Sequence, residues 1–136
     1  MVAMTKDRAV RSRALTTHSD PVAADAVIYT GALVCLNAAG NAVPGSTSTT
    51  LKARGVATDR VNNTGGAAGD VRVTSEVGVF AFANSASADE ITRADIGATA
   101  YIVDDQTVAK TSGSSTRSAA GRIIDVDAAG VWVEIA

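Results

Sequence analysis

The clearest pattern in the chain is an alternation of apolar and polar side chains over residues 71–79. Four valines fall on one face and three polar residues on the other: Val71, Val73, Val77 and Val79 against Arg72, Thr74 and Glu76. A period of two predicts a half-buried β-strand. Phe80 and Phe82 then fall on the polar face. This indicates either a bulge near Gly78 that reverses the register or a sheet end covered on both sides.

Short apolar segments separated by turn residues recur along the rest of the chain. They lie at 27–30 and 33–36, which flank Gly31 as one strand with a bend or bulge, and at 42–43, 55–57, 99–103, 107–109, 122–127 and 131–135. In the last of these, Val131, Val133 and Ile135 share one face, while Trp132 and Glu134 share the other. About seven or eight short strands with frequent turns are typical of an all-β fold, a small sandwich or barrel.

One short helix is predicted between two of these strands. Ser87-Ala88-Asp89-Glu90 has the spacing of a capping box, and Ile91, Ala94 and Gly97 would complete one or two turns with a glycine stop.

The first 26 residues differ from the rest in pattern and charge. Residues 1–19 hold four basic side chains against Asp7, a net charge of +3, whereas the remaining residues hold 8 basic and 13 acidic side chains, a net charge of −5. No period of two or 3.6 is evident there. We therefore predict an extended basic N-terminal arm over 1–26 and a β-rich domain over 27–136. The basic side chains Lys6, Arg8, Arg11 and Arg13 are candidate contacts if the arm binds across a neighbouring subunit. The alternative is a frayed terminus.

Composition, net charge and cysteine count argue against several classes of function. The apolar fraction of 46% is mostly Ala and Val, and 4% of residues are aromatic, which suits a thin sheet sandwich. A formal net charge of −2 provides no field to attract nucleic acid or an acidic membrane, and no apolar run approaches the length of a bilayer span. The N-terminus lacks the apolar stretch of a secretory signal, and one cysteine forms no internal disulfide. These features predict synthesis in a reducing cytoplasm.

Residues for catalysis, metal or cofactor binding are too few. His18 is the single histidine and lies in the predicted arm, and Cys35 alternates into a strand core, where a lone thiol usually packs as a small hydrophobe. The calcium-like run from Asp125 to Gly130 lacks two of its oxygen ligands. Gly65-Gly66 is not followed by the Lys and Ser/Thr of a phosphate-binding loop. We therefore predict no catalytic, cofactor or metal site and no enzymatic activity.

Three aromatic residues are candidate contacts as well as candidate core residues: Phe80, Phe82 and Trp132. Core placement is the commoner outcome for such residues. If exposed, they would anchor a subunit interface. Trp132 would also be the one tryptophan able to stack on a sugar ring.

The order of several phrases resembles the capsid-cement, or head-decoration, proteins of tailed phages. The matching stretches cover most of residues 27–135 and lie at 29–36, 55–57, 71–73, 78–82, 96–105, 108–109, 120–124 and 131–135. Each phrase is short, so the specificity of the resemblance lies in their order.

The resemblance implies a non-catalytic virion protein, made in the host cytoplasm, that stabilises the outside of a capsid shell. It also implies a homotrimer seated where copies of the major capsid protein meet, with neither nucleic acid nor membrane as partner. Several weak contacts acting together give such a bridge its strength. The alternative is a receptor- or glycan-binding module of a virion fibre or surface protein.

Overall fold

The computed structural model describes residues 2–136, and within them the fold is all-β. Its strands are β1 (Thr17–Pro21), β2 (Val27–Ile28), β3 (Leu33–Leu36), β4 (Ala42–Pro44), β5 (Lys52–Ala57), β6 (Val61–Asn62), β7 (Arg72–Glu76), β8 (Gly78–Phe82), β9 (Thr99–Ile102), β10 (Val108–Ala109), β11 (Ala119–Asp127) and β12 (Gly130–Ile135). The all-β prediction is confirmed. There are more strands than predicted, because very short strands such as β6 are too brief to show alternation.

The strands form two five-stranded antiparallel sheets and a small ribbon. The first sheet has the order β1-β7-β5-β3-β4, the second β10-β9-β11-β12-β8, and β2 pairs with β6 in the ribbon. Single parallel bridges, Val22 with Ala42 and Ala83 with Thr107, connect the two ends of each sheet. Each five-stranded sheet is therefore curled, and the two pack together as a sandwich.

Strand β3 lies at the centre of the fold and buries both of its faces. Leu33 and Cys35 pack into a cluster shared with the second sheet, whereas Val34 packs into a second cluster beneath the ribbon. Successive strand side chains point to opposite faces. The molecule therefore has three layers: the ribbon, the first sheet and the second sheet.

The chain passes from the first sheet to the second at Val77 and Gly78. On β7, Val73 is buried and Arg72 faces solvent, but on β8 Phe82 is buried and Val79 is exposed. Of the two predicted alternatives, the register does reverse near Gly78, but without the predicted bulge. The reversal results from a change of sheet at a glycine with φ of +154°. The placement of Val79 on the buried face was consequently wrong.

The predicted helix is absent from the structure. Ser87–Asp89 and Arg93–Asp95 are two single turns of 3₁₀ helix, and the capping box joins Thr92 to Asp95 instead of starting at Ser87. Between the two turns, the Asn84 side chain accepts from the Ile91 N–H at 2.9 Å and donates to its carbonyl at 2.8 Å. Those bonds hold Ile91 in the core and use the backbone groups that a continuous helix would need.

The body begins earlier than the sequence predicts. Residues 17–21 pair with β7 in antiparallel register, from Thr17 opposite Glu76 to Pro21 opposite Arg72, and Val22 is fully buried. The arm is therefore limited to residues before 17, and residues 17–26 belong to the body. The sequence does not reveal this because β1 is polar and its partner lies more than fifty residues away.

Candidate interaction surface

The described part of the arm, residues 2–16, is exposed throughout. Its basic side chains, Lys6, Arg8, Arg11 and Arg13, all face solvent. Four large apolar side chains of the same segment, Val2, Met4, Val10 and Leu15, are 65–91% exposed. The charge pattern points only to the basic side chains of this segment. The apolar residues are visible in the sequence, but their exposure depends on whether the body covers them.

Hydrogen bonding shows how the arm meets the body. The Val77 N–H donates to the Thr16 carbonyl at 3.1 Å, and Leu15 and Thr16 form a turn. Among the described residues, no hydrogen bond connects residues 2–15 to the body. The arm thus leaves the fold beside the first residue of β8.

The strand that follows the arm, β1, is held by an ion pair that the sequence does not reveal. Arg54 on β5 donates from Nε and Nη2 to the two carboxylate oxygens of Asp20 on β1, at 2.9 and 3.0 Å. Asp20 is almost fully buried. Burial lowers the pKa of the nearby His18 below its usual value, and the positive charge of Arg54 contributes in the same direction. β1 is therefore held to the first sheet by a bidentate salt bridge as well as by its strand pairing.

The three aromatic candidates occupy different environments. Phe82 is buried, and Phe80 is half-buried against the same core cluster, so both serve mainly as packing residues. Trp132 lies half-exposed on the outer face of the second sheet, opposite Ala81 on one side and Asp125 on the other. The structure does not bring these aromatics together with the basic residues of the arm.

The outer face of the second sheet is apolar along the edge formed by β8. Val79 is 42% exposed, and Ala81 and Trp132 lie beside each other one step further along the strands. In the cross-strand row of Val79, the neighbouring residue on β12 is Glu134, and its charged side chain is exposed. This surface pairs a small apolar area with a neighbouring carboxylate.

A shallow cleft lies on another part of the surface. Tyr29, Asp105 and Gln106 line it with residues 30–32, and the Tyr29 ring is 56% exposed. The Arg60 guanidinium carbon lies 5.0 Å from the centre of that ring, a cation–π contact that covers one of its faces.

The groups that the sequence weighed for chemistry are dispersed. Cys35 is fully buried, and burial raises the pKa of its thiol to about 12, so that it stays protonated at neutral pH. Within residues 2–136 no group of three or more His, Cys, Asp or Glu side chains is placed to hold a metal ion. No helix in this part of the chain is long and apolar enough to cross a membrane.

Comparison of the chain with protein-family models, with curated proteins and with solved structures found no match.

Proposed function

We propose that this chain is a capsid decoration protein of a tailed phage, which binds the outside of the shell and bridges copies of the major capsid protein. The observation that carries the proposal is the arm: a segment bearing four basic and four apolar side chains, all exposed, on a compact sandwich. The resemblance of the ordered phrases over residues 27–135 supports the same role.

The arrangement suits a protein that binds by attachment. A folded body presents a rigid surface, and an extended segment adds a second point of contact with the same partner. Two linked contacts bind more strongly than either alone, because the second forms at a high effective concentration. The arm carries both the charge to orient on an acidic surface and the apolar side chains to bury there.

Binding of arm-deleted protein to shells tests the proposal. Residues 2–14 are removed, which leaves the Thr16–Val77 contact and all of β1 in place. Particles stripped of the chain are mixed with purified protein and sedimented. We expect the full chain to co-sediment and the deletion to bind at least about 100-fold more weakly, the scale of a lost second contact.

Two controls make the result specific. Circular dichroism and thermal unfolding check that the deleted protein keeps its fold. A full-length variant with Lys6, Arg8, Arg11 and Arg13 changed to Gln separates the charge of the arm from its length. Normal decoration by the deletion variant would show that the arm does not contribute to binding the shell.

A further inference from the structure

Strand β8 has one unpaired edge. It ends the second sheet and pairs with β12 on one side only. Its open side is closed at one end, where the Ala83 N–H donates to the Gln106 carbonyl at 2.8 Å and the Ala83 carbonyl accepts from Val108 at 3.0 Å. Across the described residues, no strand covers that side from Gly78 to Phe82.

The other sheet ends are protected in ways that β8 is not. β1 carries His18, the buried Asp20 and Pro21, and β4 ends in Pro44 after its bridge to Val22. β10 is two residues long. Charges, prolines and short length are the usual devices that prevent an edge from pairing with another chain. β8, with the sequence GVFAF and no charged residue, has none of them.

The arm is suited to occupy such an edge. Its described residues before 17 form neither helix nor strand, make no hydrogen bond to the body before Thr16, and leave Val10 and Leu15 exposed in the half nearest the fold. Residues 9–15 reach up to about 25 Å from Thr16 when extended. That reach is shorter than the width of a body of this size, roughly 35 Å, so the second copy must lie against the side of the body from which the arm leaves.

We propose that residues 9–15 of one copy add as a strand to the open edge of β8 in a second copy. Arm and edge are different surfaces, so the contact is heterologous, and repeating it around an axis closes a ring of copies. The inference rests on the proposed function for its biological setting, since it names the chain itself as a partner of the arm. Residues 2–8, with Lys6 and Arg8, stay free for the shell.

Charge and side-chain alternation favour one orientation of the added strand. If Val10, Ser12 and Ala14 face inward beside Phe80, then Arg11 and Arg13 face outward, in the rows of Val79 and Ala81, with one of them within reach of the exposed Glu134. The overall charges agree, since an arm of +3 meets a body of −5.

Measurement of mass in solution tests the inference without any capsid. Sedimentation equilibrium is run on the full chain, on the 2–14 deletion and on Val79→Lys, which puts a cation beside Arg11 and Arg13. Thr99→Lys is the matched control, because Thr99 is exposed on the same outer face in the same cross-strand row, three strands away from Val79. We expect the full chain and Thr99→Lys to have a multiple of the 13.7 kDa monomer mass. Both other variants should associate at least about tenfold more weakly, the effect of roughly 1.4 kcal/mol.

A cross-linking measurement shows whether the contact joins two copies. A variant with Ala81→Cys is mixed under oxidising conditions with one carrying Arg11→Cys or Arg13→Cys. Cys35 does not compete, because it is buried. We expect the mixed disulfide dimer to exceed either self-linked dimer.

The outcomes separate this inference from the proposed function. A full chain that stays monomeric at high micromolar concentration overturns the inference, as does a Val79→Lys variant that assembles as well as Thr99→Lys. Neither result bears on binding to shells. Conversely, arm-dependent assembly without any binding to shells would retain the inference and reject the decoration role.

Discussion

At the scale of single residues, the contact between Asp20 and Arg54 stabilises the strand from which the arm leaves. A carboxylate removed from water is costly unless it is paired and hydrogen-bonded, and here two guanidinium nitrogens pair with both of its oxygens. The pair connects β1, the strand that carries the arm, to β5 in the middle of the first sheet. Stability and the position of the arm therefore depend on the same two side chains.

Removing the arginine leaves the buried carboxylate without a partner. We expect Arg54→Ala to lower the free energy of unfolding by about 2–4 kcal/mol, somewhat less than the roughly 3–5 kcal/mol for fully buried pairs, because Arg54 is itself 28% exposed. Urea unfolding measures the change. Arg93→Ala, which breaks the solvent-exposed pair with Asp125, is the control and should cost under about 1 kcal/mol. Equal losses in the two variants would show that Asp20 is solvated in solution.

At the scale of elements, the second sheet depends on a close approach between β11 and β12. A side chain at Gly121 would overlap the Glu134 carbonyl oxygen of the neighbouring strand. The ladder between these strands also shifts register between Ile123 and Asp125. Gly121 therefore permits a local packing in which β12 can present Trp132 outward while burying Val131 and Val133.

Substitution of this glycine is expected to disrupt the sheet. Gly121→Ala should lower the free energy of unfolding by at least about 3 kcal/mol, because the obstacle is backbone and cannot move as a side chain does. Gly40→Ala serves as control. Its φ of +84° strains an alanine by about 1 kcal/mol, but open space surrounds the added carbon. A chemical denaturation curve for Gly121→Ala that matches the curve for Gly40→Ala would refute the close approach.

Elements whose pattern is local could be predicted from the sequence. The alternation around Val73 and Val133 correctly indicated strands and their buried faces, and turn residues marked most of the boundaries. Three features depended on distant residues instead. β1 gains its identity from pairing with β7, Asn84 prevents the predicted helix by bonding Ile91, and Val79 becomes exposed because the chain changes sheets at Gly78.

The candidate surface was predictable to a similar extent. The charge pattern identified the basic residues of the arm. Phe80 and Phe82, candidates for both core and contact, pack toward the core, the commoner of the two outcomes. The open edge of β8 has no local sign in the sequence. Whether a strand lies at an edge is decided by which strands pair with it, and the pairs between β8 and β12 are 49 to 57 residues apart in the sequence.

At the scale of the whole molecule, a compact body of net charge −5 carries an exposed segment of net charge +3. The body supplies a rigid surface with few reactive groups. Its one thiol is buried, and most of its carboxylates form hydrogen bonds or ion pairs at the surface. The arm supplies the apolar and basic side chains that nothing in the described body covers. This division between scaffold and attachment segment is the central feature of the proposed decoration role.

The copy number of the chain in purified particles tests that role most directly. Quantitative mass spectrometry of virions whose genome encodes the chain gives the ratio of this protein to the major capsid protein. Decoration of every local three-fold axis predicts a ratio approaching one copy per shell subunit. Absence from the particles, or a few copies in each, would contradict the account, and the second result would fit a fibre or receptor-binding component instead.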